Sequence, residues 1–153
     1  MLYPTRPATA QLYGIAPKQW NPLPKRVCSL CQIDLDLLQA LDVRGVILEI
    51  DRGHAPSESV LTGSERLWLN QARALGIQLC ALAETGDPRH HWSQTLDIPY
   101  ADTSHRPLFW VLQNVMSQLQ LGPRQVVVIS DRQPTSWLDT WLVGCLRVQL
   151  VQA

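Results

Sequence analysis

The sequence predicts an α/β domain, a parallel sheet with helices on both faces. Three observations predict it. Short β-branched apolar runs alternate with amphipathic helical stretches, glycine and proline punctuate the joins, and the strand-like runs are too continuously apolar to have a solvated face. The chain of 153 residues, 46% apolar and 17% charged, has the size and the apolar content of one domain with a buried core.

The elements follow in chain order. Ile33 to Leu41 (IDLDLLQAL) reads as a short amphipathic helix, and Val43 to Ile50 (VRGVILEI) as a buried strand. Ser64 is placed to cap the helix ERLWLNQARAL, and Gly76 to end it where a left-handed backbone is needed. Ile77 to Ala83 reads as a second strand, Asp87-Pro88 opens a short helix through Leu96, and Ile98 to Ala101 is a brief third strand. Pro107 sits near the first turn of the helix LFWVLQNVMSQLQL, with Gly122-Pro123 as its terminator. Gln125 to Ser130 (QVVVIS) is the fourth strand. A Pro134-initiated helix to Leu142, Gly144 and a last strand from Leu146 to Val151 complete the body. The segment between Arg52 and Ser64 is long enough for a loop only, so no large cap domain is expected.

Ahead of this body, residues 1–26 hold five of the eleven prolines, four basic residues (Arg6, Lys18, Lys25, Arg26) and no acid. That composition predicts an extended, Pro-rich basic arm with Tyr3, Tyr13 and Trp20 as apolar anchors, followed by an α/β domain over 27–153. The arm lays these anchors on its own domain or on a partner protein, with an import peptide as the third reading. Lys25 is the last lysine, so the body carries none.

Thirteen basic and thirteen acidic residues cancel, which removes the basic surplus that drives nucleic-acid binding. No apolar run reaches the length of a membrane span, and the N-terminus lacks the apolar stretch of a secretory signal. A soluble, cytoplasmic protein is expected, with peripheral membrane contact left open. Four cysteines are too few for a disulfide scaffold.

In a parallel sheet of this kind the binding crevice lies at the carboxyl ends of the strands. The first strand finishes Glu49-Ile50-Asp51, two carboxylates on one face of an otherwise apolar run, and the fourth finishes Ser130-Asp131. Three hard oxygen ligands, Glu49, Asp51 and Asp131, suit Mg²⁺. The alternative is structural: Glu49 bonding loop amides or pairing with Arg52 or Arg132, with Asp51 and Asp131 capping the helices that follow.

The register VRGVILEID, the segment DIPYADTSHRP and the ending GCLRVQLV resemble the haloacid dehalogenase (HAD) superfamily. More narrowly, Ile33 to Val151 resembles its YqeG-type branch, which includes phosphatidylglycerophosphate phosphatases. The resemblance implies a Rossmann-like core of five parallel strands in the order 5-4-1-2-3. It also implies hydrolysis of phosphate esters through an aspartyl-phosphate with one Mg²⁺.

The family's Asp-x-Asp-x-Thr falls on Glu49-Ile50-Asp51-Arg52-Gly53, so the nucleophile position holds Glu49 while Asp51 keeps the acid/base position. The phosphate-binding hydroxyl ending strand two falls on Ala83, with Thr85 two residues late, and the phosphate-neutralising lysine falls on Arg106. The fourth motif, Gly-Asp-x-x-x-Thr-Asp, falls on Ser130-Asp131-Arg132-Gln133-Pro134-Thr135-Ser136, so Asp131 remains and the final aspartate is Ser136. Glutamate is one methylene longer than aspartate, enough to spoil in-line attack. Ala83 lacks a phosphate hydrogen bond, and Ser136 lacks a carboxylate that helps organise the metal.

These departures predict a pseudoenzyme that acts through protein–protein interaction. The interaction residues are Trp20 in the arm and Trp137 and Trp141, spaced i, i+4 on the last helix, which also suit the core. The competing expectation is a Mg²⁺-dependent phosphatase acting on a phospholipid head group, such as phosphatidylglycerophosphate, or on a small phosphate ester. Retention of a phosphate or metal site as a sensor lies between them. Cys28 and Cys31 form a CxxC open to packing, redox or metal roles, and Cys80 and Cys145 read as core.

Overall fold

The computed structural model of the protein describes residues 22–50, 61–84, 94, 96–132 and 143–151. Among them run β1 (Arg26–Val27), α1 (Leu35–Ala40), β2 (Gly45–Glu49), α2 (Gly63–Ala74), β3 (Gln78–Ala83), β4 (Tyr100–Asp102), α3 (Leu108–Leu119), β5 (Val126–Ser130) and β6 (Leu146–Leu150). Single 3-10 turns lie at Leu30–Gln32 and Pro123–Gln125. The helices expected at 87–96 and 134–142 fall almost wholly outside the described residues.

All strand pairs are parallel, and the sheet order is β1-β6-β5-β2-β3-β4. Among the described residues the sheet therefore has six strands rather than the expected five. The sixth is β1, whose first residue, Arg26, closes the segment read as an arm. Arg26 and Val27 pair with Gln149 and Leu150 of β6, and Leu23 just upstream is buried in the core. A two-residue strand has no hydrophobic period to read, so only the sheet edge reveals it.

Every residue of β2 and β5 is buried, as the central strands of a two-sided sheet must be. Alternate side chains feed two cores. On one face Val46, Leu48, Leu79, Ala81, Val127, Ile129 and Val148 meet Trp68, Leu69 and Ala72 of α2 together with Leu30, Ile33 and Leu38. On the other, Ile47, Cys80, Leu82, Val126 and Val128 meet Val111, Leu112, Val115 and Met116 of α3. From β2 the chain builds β3 and β4 to one side, then crosses to β5 and β6 on the other. The topological switch point, where such sheets open a crevice, lies between β2 and β5.

Two helix ends differ from the sequence reading. The cap of α2 is Thr62, not Ser64: its side chain accepts from the Glu65 N–H while the Glu65 carboxylate accepts from the Thr62 N–H, a complete capping box. Helix α3 stops at Gln120, a left-handed residue with φ 58°, before the Gly122-Pro123 pair is reached. Gly76 does follow α2 in the left-handed region, with φ 85°.

Glu65 also reaches beyond its own helix. Its second oxygen accepts the Leu30 N–H at 3.0 Å, and the Trp68 indole donates to the Ile33 carbonyl at 2.9 Å. Helix α2 thus holds the segment entering the domain by two buried hydrogen bonds, besides its apolar contacts.

Candidate functional site

Strand β2 ends in Glu49 and strand β5 in Ser130, and the parallel register sets these two opposite each other on one face. Both are buried, with exposures of 7% and 4%. The Ser130 hydroxyl donates to Glu49 Oε1 at 2.7 Å, and its oxygen accepts the Arg132 N–H at 3.1 Å. The Asp131 N–H in turn donates to the Glu49 carbonyl at 3.2 Å. The carboxylate that an apolar strand carried without evident reason is therefore bonded across the switch point by a hydroxyl. Burial of such a group requires a partner of this kind.

The sequence reading offered loop amides, Arg52 or Arg132 as partners of Glu49 and omitted Ser130 from the candidate residues. The available signal was a hydroxyl ending one apolar strand while a carboxylate ends another; the register that makes them neighbours is not visible locally.

The remaining strand ends complete the rim. Ala83 ends β3 opposite Asp102 of β4, and its carbonyl accepts the Thr103 N–H at 2.8 Å. The loop after β4 turns through an Asp102 side chain that accepts the Ser104 N–H at 2.9 Å and through His105 at φ 61°. Arg106 follows, with its guanidinium carbon 4.6 Å from the centroid of the Trp110 ring, a cation–π stack between an exposed arginine and a residue one turn into α3.

Of the candidate residues, Glu49, Asp131, Ala83 and Arg106 are thus located, and Glu49 and Asp131 are joined through their backbones. Asp51, Thr85, Ser136, Trp20, Trp137 and Trp141 lie outside the described residues. Among the described residues no group of three or more His, Cys, Asp or Glu side chains is placed to hold a metal ion.

All four cysteines are free thiols, Cys28 and Cys31 exposed. Ser29 between them caps the 3-10 turn by accepting the Cys31 N–H. Burial pushes the Cys80 thiol up to about 11 and the half-buried Cys145 up to about 12. Cys80 sits in the core as the sequence suggested, and Cys145 packs against that core only partly buried, with its Sγ 3.6 Å from Met116 Sδ. Among the described residues no helix is long and apolar enough to cross a membrane.

Neither a protein-family model nor a curated protein matches the chain. Solved structures do. The cobalt-bound deoxy-D-mannose-octulosonate 8-phosphate phosphatase from Haemophilus influenzae aligns at 15% identity and a TM-score of 0.55, over 69% of this chain and 66% of that one. A hypothetical protein from Xanthomonas campestris aligns at 17% identity and a TM-score of 0.54, over 78% of this chain and 71% of that one. A HAD-family hydrolase from Streptomyces avermitilis aligns at 14% identity and a TM-score of 0.55, over 71% and 67%. At these identities the likeness is one of architecture: the chain has the Rossmann-like parallel α/β fold on which HAD-family phosphatases are built.

Proposed function

We propose that the chain is a HAD-superfamily relative, of the YqeG-type branch, whose phosphatase site has been converted to a structural one and which acts by binding another protein. The observation that carries this reading is the Glu49–Ser130 hydrogen bond at 2.7 Å. In the motif alignment Glu49 stands where the nucleophilic aspartate would be and Ser130 where a glycine would be. The longer acid and the added hydroxyl are two departures that satisfy each other. Together they turn a position needed for in-line attack into a bond between β2 and β5, and a nucleophile held against a neighbouring strand is poorly placed to approach phosphorus.

Two further observations support it. Ala83 offers no hydroxyl to a phosphate oxygen. The cation at the phosphate-neutralising position, Arg106, stacks on Trp110. The interaction role rests on the Pro-rich basic arm with Trp20 and on Trp137 and Trp141.

The test is purified full-length protein with p-nitrophenyl phosphate and Mg²⁺. The expected result is no turnover above buffer and no Mg²⁺ binding heat. Turnover that disappears in both Glu49→Ala and Asp131→Asn would replace this reading with a Mg²⁺-dependent phosphatase, phosphatidylglycerophosphate being the next substrate to assay. For the partner, deletion must stop at residue 21, because Leu23 and β1 belong to the core and the sheet. Loss of a co-purifying partner with an unchanged melting temperature is expected. Retention of that partner by the truncated chain would exclude the arm as its binding element.

A further inference from the structure

Cys28 and Cys31 stand three apart where the chain leaves β1, and both are exposed thiols. Between them Leu30 is fully buried, and its N–H donates to Glu65 Oε2 at 3.0 Å. The other Glu65 oxygen accepts the Thr62 N–H in the capping box of α2. The two thiols therefore bracket the residue by which the entering segment is fastened to α2.

Two observations decide what such a pair can do. Among the described residues no third His, Cys, Asp or Glu joins them in a group placed to hold a metal ion, so the pair is complete as a dithiol and short of ligands as a structural zinc site. The second observation is the backbone. Ser29 is extended, at φ −148° and ψ 149°, while its hydroxyl accepts the Cys31 N–H at 3.2 Å and its carbonyl accepts the Gln32 N–H at 3.1 Å. An extended residue sets its two neighbours' Cα atoms about 6.7 Å apart, twice the strand rise. That is already close to the upper limit of roughly 6.8 Å for a disulfide, and Cys31 is a further residue along the chain. A bridge therefore draws Ser29 out of the extended region, which breaks its cap and shifts Leu30 away from Glu65.

We propose that Cys28 and Cys31 are a redox-sensitive pair, which a low-molecular-weight disulfide such as glutathione disulfide oxidises to an intramolecular bridge that unfastens Leu30 from Glu65. The chemistry is thiol–disulfide exchange. One cysteine thiolate attacks a sulfur of glutathione disulfide, forming a mixed disulfide and releasing one glutathione thiolate. The second cysteine thiolate attacks the protein sulfur of that mixed disulfide, forming the Cys28–Cys31 bond and releasing the second glutathione. The protein gives up two electrons and two thiol protons, and the two glutathione thiols receive them. A bridge that distorts its own turn is readily reduced, so the change is reversible. The proposal is independent of whether the crevice hydrolyses phosphate esters or the arm binds a partner.

The experiment incubates the full-length protein anaerobically in buffers of varied glutathione to glutathione disulfide ratio, then reads its mass and its backbone amide exchange. A loss of two hydrogens per chain is expected, with the bridge mapped to Cys28 and Cys31 by peptide masses. Exchange of the Leu30 N–H is expected to quicken about tenfold in the oxidised chain, the factor equivalent to one lost hydrogen bond, and dithiothreitol is expected to restore it. Cys31→Ser is expected to hold a glutathione adduct on Cys28 and to keep the slow Leu30 exchange. Accumulation of such an adduct on the unaltered chain, bridges between chains, or a Leu30 exchange rate unchanged by oxidation would overturn the proposal. Should Cys31→Ser not fold, the unaltered chain before and after dithiothreitol still decides it.

Discussion

Removing the Ser130 hydroxyl tests whether the crevice pair is structural. Ser130→Ala deletes one donor and one acceptor. Glu49 Oε1, in a residue only 7% exposed, loses the hydroxyl bond at 2.7 Å, and the half-buried Arg132 N–H loses its acceptor at 3.1 Å. A hydrogen bond to a charged group contributes about 1.5–3 kcal/mol, and a neutral one about 0.5–1.5 kcal/mol. The variant should therefore lose about 2–4 kcal/mol, a large share of the stability of a domain this size. The assay is urea unfolding followed by tryptophan fluorescence, with an unchanged slope showing that the native state stays compact. Glu49→Ala and the double variant complete a cycle in which the coupling between the two residues should be about 1.5–3 kcal/mol. A coupling below about 0.5 kcal/mol, the scatter for independent sites, would show that the short contact contributes nothing. The argument for a converted site would then fail with it.

Glu65→Ala should be comparably costly, about 2–4 kcal/mol. It removes the capping box of α2 and leaves the Leu30 N–H without its acceptor; a melting temperature within 2 °C of wild type, an allowance of roughly 0.5 kcal/mol, would contradict this. The two left-handed helix ends should respond with opposite signs. Gly76→Ala, at φ 85°, should lose about 1 kcal/mol, whereas Gln120→Gly, at φ 58°, should gain about 0.5 kcal/mol, both measured by chemical unfolding. Iodoacetamide at pH 8 should label Cys28 and Cys31 and spare Cys80 and Cys145, whose thiols burial holds neutral to about 11 and about 12. Because the folded thiols titrate above the ordinary value of 9.0, the stability they contribute is intact below pH 9. It falls as pH rises through 9 toward 11 and 12, which unfolding curves across that range will show.

The legible part of this protein was the part with a local period. The strand runs ending at Glu49, Ala83 and Ser130 are apolar without a polar face, and that pattern by itself requires a sheet covered on both sides. The same reading found the carboxylate at the end of β2, because a charge on such a strand is conspicuous. It did not find Ser130, which is unremarkable until the register sets it against a residue 81 positions away. The cap of α2 was misplaced by two residues even though Thr62-Gly63-Ser64-Glu65 is a local capping-box pattern; what no local pattern contains is that the second oxygen of Glu65 is taken by Leu30, 35 positions away.

Sequence by itself therefore determined the alternation of strands and helices, the buried character of the central strands and the strand ends at which polar groups gather. These follow from side-chain periodicity and backbone sterics, which act over a few residues. Tertiary structure alone decided that Arg26 and Val27 join the sheet and that Glu49 meets Ser130. Those outcomes depend on strand order and register, which are settled by closing long loops around a shared core, and no short window of residues contains that information.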